Sequence, residues 1–173
     1  MKITHSFRPR ATGASVAIVS LALAVMVTAS PESHQWIQRG ADALRNQRNE
    51  KALADFDAAA KADGSDGEAV FFQGAVLNRL GRHKEACTRL QNAERLNCKH
   101  PDLDFELGWS LVGQRRWKDA VSHLVAYEKM HPGRGQTSEF LGRAYLGLQQ
   151  YVNAQAAFDE AVRRDPDLKP TVE

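Results

Sequence analysis

The chain of 173 residues is long enough for one domain, and its 43% hydrophobic and 25% charged residues are ordinary for a folded globular protein. Three of its 23 basic residues precede residue 30, which leaves 20 Lys and Arg against 21 Asp and Glu in the remainder of the chain. Such a near-neutral remainder lacks the clustered positive charge that follows a phosphate backbone, and this excludes nucleic acid as an expected partner.

The first predicted element is an export segment at residues 1–29. A basic head precedes the uncharged stretch 14–29, which ends in small residues at Ala29. This layout is typical of a secretory signal peptide that is cleaved before Ser30. An uncleaved membrane anchor is the alternative, although sixteen helical residues span roughly 24 Å and a bilayer core is about 30 Å thick. The rest of the chain is therefore predicted in a bacterial periplasm or cell envelope, or attached to the inner membrane through residues 14–29.

From residue 33 to residue 168 the sequence repeats every 34 residues without an insertion. One column of the repeat is glycine, at Gly40, Gly74, Gly108 and Gly142. A second column is alanine, at Ala52, Ala86, Ala120 and Ala154. A third column is larger and apolar, at Phe56, Leu90, Leu124 and Phe158. Small residues allow two helices to approach closely, so we expect Gly108 to face Ala120 within its repeat and the larger column to fill the space between repeats.

The columns divide the chain into two-helix units. The predicted units are 33–66, 67–100, 101–134 and 135–168, and a short tail of residues 169–173 follows them. This set of columns resembles the tetratricopeptide-repeat family over residues 33–168. The resemblance implies an all-α fold, a right-handed α-solenoid that holds partners on its concave face. The pentatricopeptide repeats, which read RNA, are the nearest competing family, but the near-neutral charge and the Gly and Ala columns argue against them.

In the tetratricopeptide family the first helix of each repeat lines the concave face. Carried over by register, the candidate binding residues are Ile37, Leu44, Arg45, Phe71, Asn78, Arg79, Phe105, Trp109, Val112, Arg143 and Leu146. The register gives Phe71, Phe105 and Trp109 no role in the core, and two interpretations of them stay open. In the first, they fill the interior of the superhelix or cover a neighbouring loop. In the second, they form an aromatic groove for a peptide whose acidic groups pair with Arg45, Arg79 and Arg143.

The residues that could carry other chemistry do not form a recognised motif. Cys87 and Cys98 are eleven helical steps apart, about 16 Å, whereas a disulfide requires its Cα atoms within roughly 7 Å. The set of Cys98, His100 and His131 does not have the four-ligand spacing of a structural zinc site, so no metal is predicted. The sequence contains no nucleophile elbow, phosphate loop or HExxH motif, and we therefore predict neither an enzyme nor a cofactor.

The sequence therefore predicts an exported interaction module, an adaptor or scaffold that binds a protein or peptide partner. The structural alternative is an assembly subunit that forms homo-oligomers through its C-terminal repeat. That repeat keeps an apolar face on its second helix, including Phe158 and Val162, with only residues 169–173 beyond it. A third alternative is that the chain is the N-terminal fragment of a larger repeat protein.

Overall fold

A computed structural model describes residues 30–168, which form eight helices in four hairpins. The helices are α1 (Pro31–Arg45), α2 (Asn49–Ala62), α3 (Gly67–Arg79), α4 (His83–Arg95), α5 (Leu103–Gly113), α6 (Trp117–Met130), α7 (Gly135–Gly147) and α8 (Tyr151–Arg164). None of the helices in this described part is both long enough and apolar enough to cross a membrane. The predictions for residues 1–29 and for the tail 169–173 lie outside the described residues.

The helices pack in chain order, each against the one before and the one after it. Contacts that skip one helix occur, within residues 30–168, only among the first helices of the hairpins: α1 with α3, α3 with α5, and α5 with α7. The first helices therefore lie on the inner side of the stack, where the repeats come closest. This arrangement is an α-solenoid and confirms the predicted all-α fold.

The turn inside each hairpin uses the same left-handed backbone conformation. The φ angle is positive at Gln47, Gly81, Arg115 and Gln149, which are spaced 34 residues apart. In each turn, the amide of the left-handed residue and the amide of the next residue donate to carbonyls of the first helix. In the fourth repeat, for example, the Gln149 amide donates to the Leu146 carbonyl at 2.9 Å and the Gln150 amide donates to that of Tyr145 at 2.9 Å. These bonds satisfy carbonyls that a helix end leaves free.

The glycine column does bring the paired helices together, but the residue that faces each glycine differs from the expectation. A Cβ carbon built on Gly108 would lie 2.5 Å from the Leu124 side chain, and the nearest atoms all belong to that residue rather than to Ala120. The nearest side chain also belongs to the larger column in the pairs Gly40–Phe56, Gly74–Leu90 and Gly142–Phe158, and the carbonyl oxygen of Ala86 lies 3.3 Å from the Cβ position of Gly74. The expectation that Gly108 faces Ala120 is therefore wrong. The glycine makes room for the larger column of its own repeat, because only a residue without a side chain leaves space for that group.

Candidate protein-binding groove

The structure divides the eleven candidate binding residues by exposure. Five are buried, namely Ile37, Phe71, Asn78, Phe105 and Val112. Two are partly exposed, namely Leu44 and Trp109. Four are exposed, namely Arg45, Arg79, Arg143 and Leu146. The partly and fully exposed residues present most of the surface that a partner could contact without rearrangement of the repeats.

Phe71 and Phe105 are covered by the last residue of their own repeat. The imidazole ring of His100 stacks on the Phe71 ring, with 3.8 Å between the ring centroids. The guanidinium carbon of Arg134 lies 3.7 Å from the centroid of the Phe105 ring. Exposed fractions of 2% for Phe71 and 1% for Phe105 follow from this cover. Both rings belong to the core, which corrects the expectation that the register gives them no core role.

Asn78 is also committed to the interior. Its amide donates to the Glu106 carboxylate at 2.9 Å and to the Glu106 backbone carbonyl at 2.8 Å, which joins repeats 2 and 3. Burial raises the pKa of the Glu106 carboxyl group, and the Asn78 hydrogen bond partly opposes that rise. Because these groups satisfy each other, we assign Asn78 to repeat packing.

An open groove of about 700 Å³ lies between repeats 3 and 4. We call it the repeat 3–4 groove and define it by Val112, Gly113, Arg115, Trp117, Arg143, Leu146, Gly147, Tyr151, Ala154, Gln155 and Phe158. It brings together three of the candidate residues: Val112, Arg143 and Leu146. Its volume is within the range of about 300–1,000 Å³ that is usual for ligand sites.

Trp117 and Tyr151 also line this groove, although the repeat register did not predict either of them as a binding residue. Both occupy the first position of the second helix in their repeats, in a column that also contains Asn49 and His83. The growth in size along this column, from Asn and His to Trp and Tyr, was the available sequence signal. The repeat register did not lead to this signal, because the register assigns only the first helices to the concave face.

Two close approaches between aromatic rings and glycines shape the groove. A Cβ carbon built on Gly147 would lie 2.3 Å from Trp117 Cε2, and one built on Gly113 would lie 2.2 Å from His83 Cδ2. Each ring therefore rests on the glycine at the end of the first helix in the next repeat. The equivalent positions in repeats 1 and 2 are Arg45 and Arg79. The glycines allow the two rings to pack on the next repeat, because a larger residue there would need the space that the rings occupy.

The groove offers apolar surface together with positive charge. Leu146 is 41% exposed and Tyr151 is 64% exposed, which is high for such large apolar side chains. Arg115 and Arg143 add two cations, and no Asp or Glu is among the described residues that line the groove. A surface of this composition can bury apolar side chains and bind anions at the same time.

A second opening, of about 720 Å³, lies beside the junction of repeats 2 and 3. Cys98 and His100 are among its lining residues. Burial raises the pKa of the Cys98 thiol and lowers the pKa of the His100 imidazole, so both groups are favoured in their neutral forms. Cys87 and Cys98 are both free thiols. Within residues 30–168, no group of three or more His, Cys, Asp and Glu side chains is placed to hold a metal ion.

Comparison with known proteins gives a family match over most of the chain. A family model described as Tetratricopeptide repeat matches residues 37–95 and 105–169. A search of curated proteins finds no match.

Several solved structures share the fold. Residues 41 to the end of MamA from Desulfovibrio magneticus RS-1 superpose with a TM-score of 0.68 at 24% identity, covering 81% of this chain and 79% of that chain. YrrB, described as a TPR protein with an unusual peptide-binding site, gives 0.65 at 24% identity, covering 79% and 70%. TTC0263, a thermophilic TPR protein of Thermus thermophilus, gives 0.63 at 19% identity, covering 78% and 75%. At these identities the likeness concerns the fold alone.

Proposed function

The chain belongs to the tetratricopeptide-repeat family, and from this premise we propose that it is a protein-interaction module that binds a partner segment in the repeat 3–4 groove. The observation that carries the proposal is the exposure of Leu146 and Tyr151 inside a groove that no described residue fills. Large apolar residues gathered in a concavity mark binding sites more often than scattered ones do. The peptide-binding site noted for YrrB, a protein of the same fold, is consistent with this use.

Site-specific photo-crosslinking tests the groove. A benzophenone amino acid placed at Tyr151 should crosslink a partner from the native host, because this side chain lies at the proposed contact. The matched control is the same amino acid at Val125, an exposed apolar position on α6 that does not line the groove. Leu146→Asp should then abolish the crosslink at position 151. Equal crosslinking at both positions, or a crosslink that survives Leu146→Asp, would place the binding surface elsewhere.

We propose self-association through α8 as a second function, because the two ends of the solenoid differ in polarity. The outward side chains of α1 are polar and exposed at Gln35, Gln38 and Asp42, so this end is suited to water. On α8, by contrast, Val152 is 84% exposed and Val162 is 37% exposed. Exposed Gln155 and Asp159 lie between these two valines on α8, so the proposed isologous dimer, in which α8 meets α8, would combine apolar contacts with polar ones.

Sedimentation velocity tests the dimer. Wild type should sediment as a concentration-dependent dimer and Val152→Glu as a monomer, while the control Val125→Glu should behave as wild type. We choose Val152 because Phe158 packs on Gly142, so a charge at position 158 would also disturb the hairpin. A wild-type protein that stays monomeric at high concentration would eliminate this function.

We also propose that the repeats act outside the cytoplasm, on the basis of the basic head and the uncharged stretch at residues 14–29. N-terminal sequencing of protein from an envelope fraction should begin at Ser30. An intact N-terminus in the membrane pellet would instead support the anchored alternative. An intact N-terminus in the cytosol would contradict both.

A further inference from the structure

We infer that the repeat 3–4 groove takes an acidic, apolar peptide, a segment that combines aliphatic or aromatic side chains with carboxylates. This inference rests on the proposed function, since it specifies the chemistry of the partner segment at the same groove. It goes beyond that function because a groove can bind peptides without a preference for their charge.

The apolar half of the inference comes from the groove walls. Leu146 and Tyr151 are the exposed apolar residues, and Trp117 and Phe158 are partly exposed beside them. The Trp117 ring rests on Gly147 and the Phe158 ring on Gly142, so both are held in place by helix packing. Side chains that are already ordered lose little conformational entropy on binding, which favours their use as contacts for an apolar side chain.

The acidic half comes from two arginines of different repeats. Arg115 sits in the hairpin turn of repeat 3, where its φ angle is 58° and its amide donates to the Val112 carbonyl at 2.9 Å. Its side chain forms no ion pair with any of the described residues. Arg143 donates one hydrogen bond to Glu139 at 2.6 Å, and its side chain remains 47% exposed. A guanidinium carries five N–H donors, so both arginines retain donors for a carboxylate.

These two arginines distinguish this groove from the equivalent places in the other repeats. The position of Arg115 is occupied by Gln47, Gly81 and Gln149. The position of Arg143 is occupied by Ala41, Ala75 and Trp109. The junction of repeats 1 and 2 carries two other exposed arginines, Arg45 and Arg79, at the positions where repeats 3 and 4 have glycine. Within residues 30–168, only the repeat 3–4 groove combines a pair of arginines with an open apolar lining. A basic segment would bring its cations against these arginines with no acidic residue in the described lining to compensate, which disfavours such a partner.

Peptide display tests the charge preference even while the natural partner is unidentified. A library of random twelve-residue peptides is selected on the wild-type chain. Binding of the enriched peptides is then measured for wild type, for the double variant Arg115→Gln, Arg143→Gln, and for Leu146→Asp. The matched control is Arg89→Gln, Arg95→Gln, which removes two exposed cations from α4. Circular dichroism verifies that each variant keeps its helices.

We expect the enriched peptides to carry an excess of Asp and Glu around at least one large apolar residue. Their affinity should fall about tenfold or more in the groove double variant, as the loss of charge-assisted hydrogen bonds implies, and stay unchanged in the α4 control. Enriched peptides that are neutral or basic, yet lost with Leu146→Asp, would overturn the acidic preference and leave the proposed function standing. Enriched peptides that bind Leu146→Asp as well as wild type would overturn both. A selection without enrichment would overturn the present inference, and the crosslinking at Tyr151 would still decide the proposed function.

Discussion

The indole of Trp117 in repeat 3 rests on Gly147 in repeat 4, so closely that a Cβ carbon at position 147 would lie 2.3 Å from Cε2 of the ring. Both residues line the repeat 3–4 groove, and their contact joins repeats 3 and 4. It also has a counterpart one repeat earlier, where the His83 ring rests on Gly113.

Gly147→Ala should therefore destabilise the fold by about 1–3 kcal/mol, as expected for overpacking of a close contact. Denaturant unfolding followed by circular dichroism measures the change. Trp117→Asn introduces the smaller residue that repeat 1 has at this position, Asn49. In the Gly147→Ala background it should restore much of the lost free energy of unfolding. If Gly147→Ala lowers stability equally in the presence and absence of the indole, the Trp117 ring is not the reason that position 147 requires glycine.

Replacing Gln149 by glycine should stabilise the protein by roughly 0.5–1 kcal/mol. Gln149 is exposed and has a φ angle of 60°, a conformation that costs most residues about 1–2 kcal/mol. Glycine would remove this strain, but part of the stabilisation would be lost because glycine has the larger conformational entropy in the unfolded chain. The structure already uses glycine at the equivalent position, Gly81, so Gly81→Ala should change stability in the opposite direction. Urea midpoints of the two variants test the pair, and shifts of the same sign would contradict this explanation.

Glu106→Gln should raise the thermal unfolding midpoint at neutral pH. Burial raises the folded-state pKa of Glu106, so the folded protein holds this proton more tightly than the unfolded chain does. Wild-type stability is then lost as the pH rises from the unfolded pKa to the folded pKa, and glutamine removes that loss. The advantage of the variant should vanish below the unfolded pKa, about 4.3. An advantage that persists unchanged at pH 3 would assign the effect to packing instead.

Asp66→Ala should cost about 1–2 kcal/mol of stability. The Asp66 carboxylate caps α3 by accepting the amides of Glu68 at 3.0 Å and Ala69 at 3.1 Å, and it also accepts the Ser33 hydroxyl from repeat 1. Asp66→Asn keeps an amide oxygen for the cap and is the matched control, with a smaller expected loss. Calorimetry of both variants tests the prediction, and equal losses would mean that the charge rather than the cap is what matters.

The sequence by itself determined the repeat unit, the number of hairpins and the all-α fold. This was possible because the signal is local and repeated. The same steric requirement for a glycine recurs at 40, 74, 108 and 142, and each helix shows its packing residues within its own span. A pattern that recurs four times in register leaves little freedom for a different architecture.

The structure alone decided which residues of the first helices face solvent. His100 covers Phe71 and Arg134 covers Phe105, although each covering residue is 29 positions away in the chain. Such cover depends on how the last residue of a repeat folds back over its first helix, and helical periodicity carries no information about that. The groove likewise arises between repeats, where Trp117 meets Gly147, so its shape depends on a distance that only the packed chain defines.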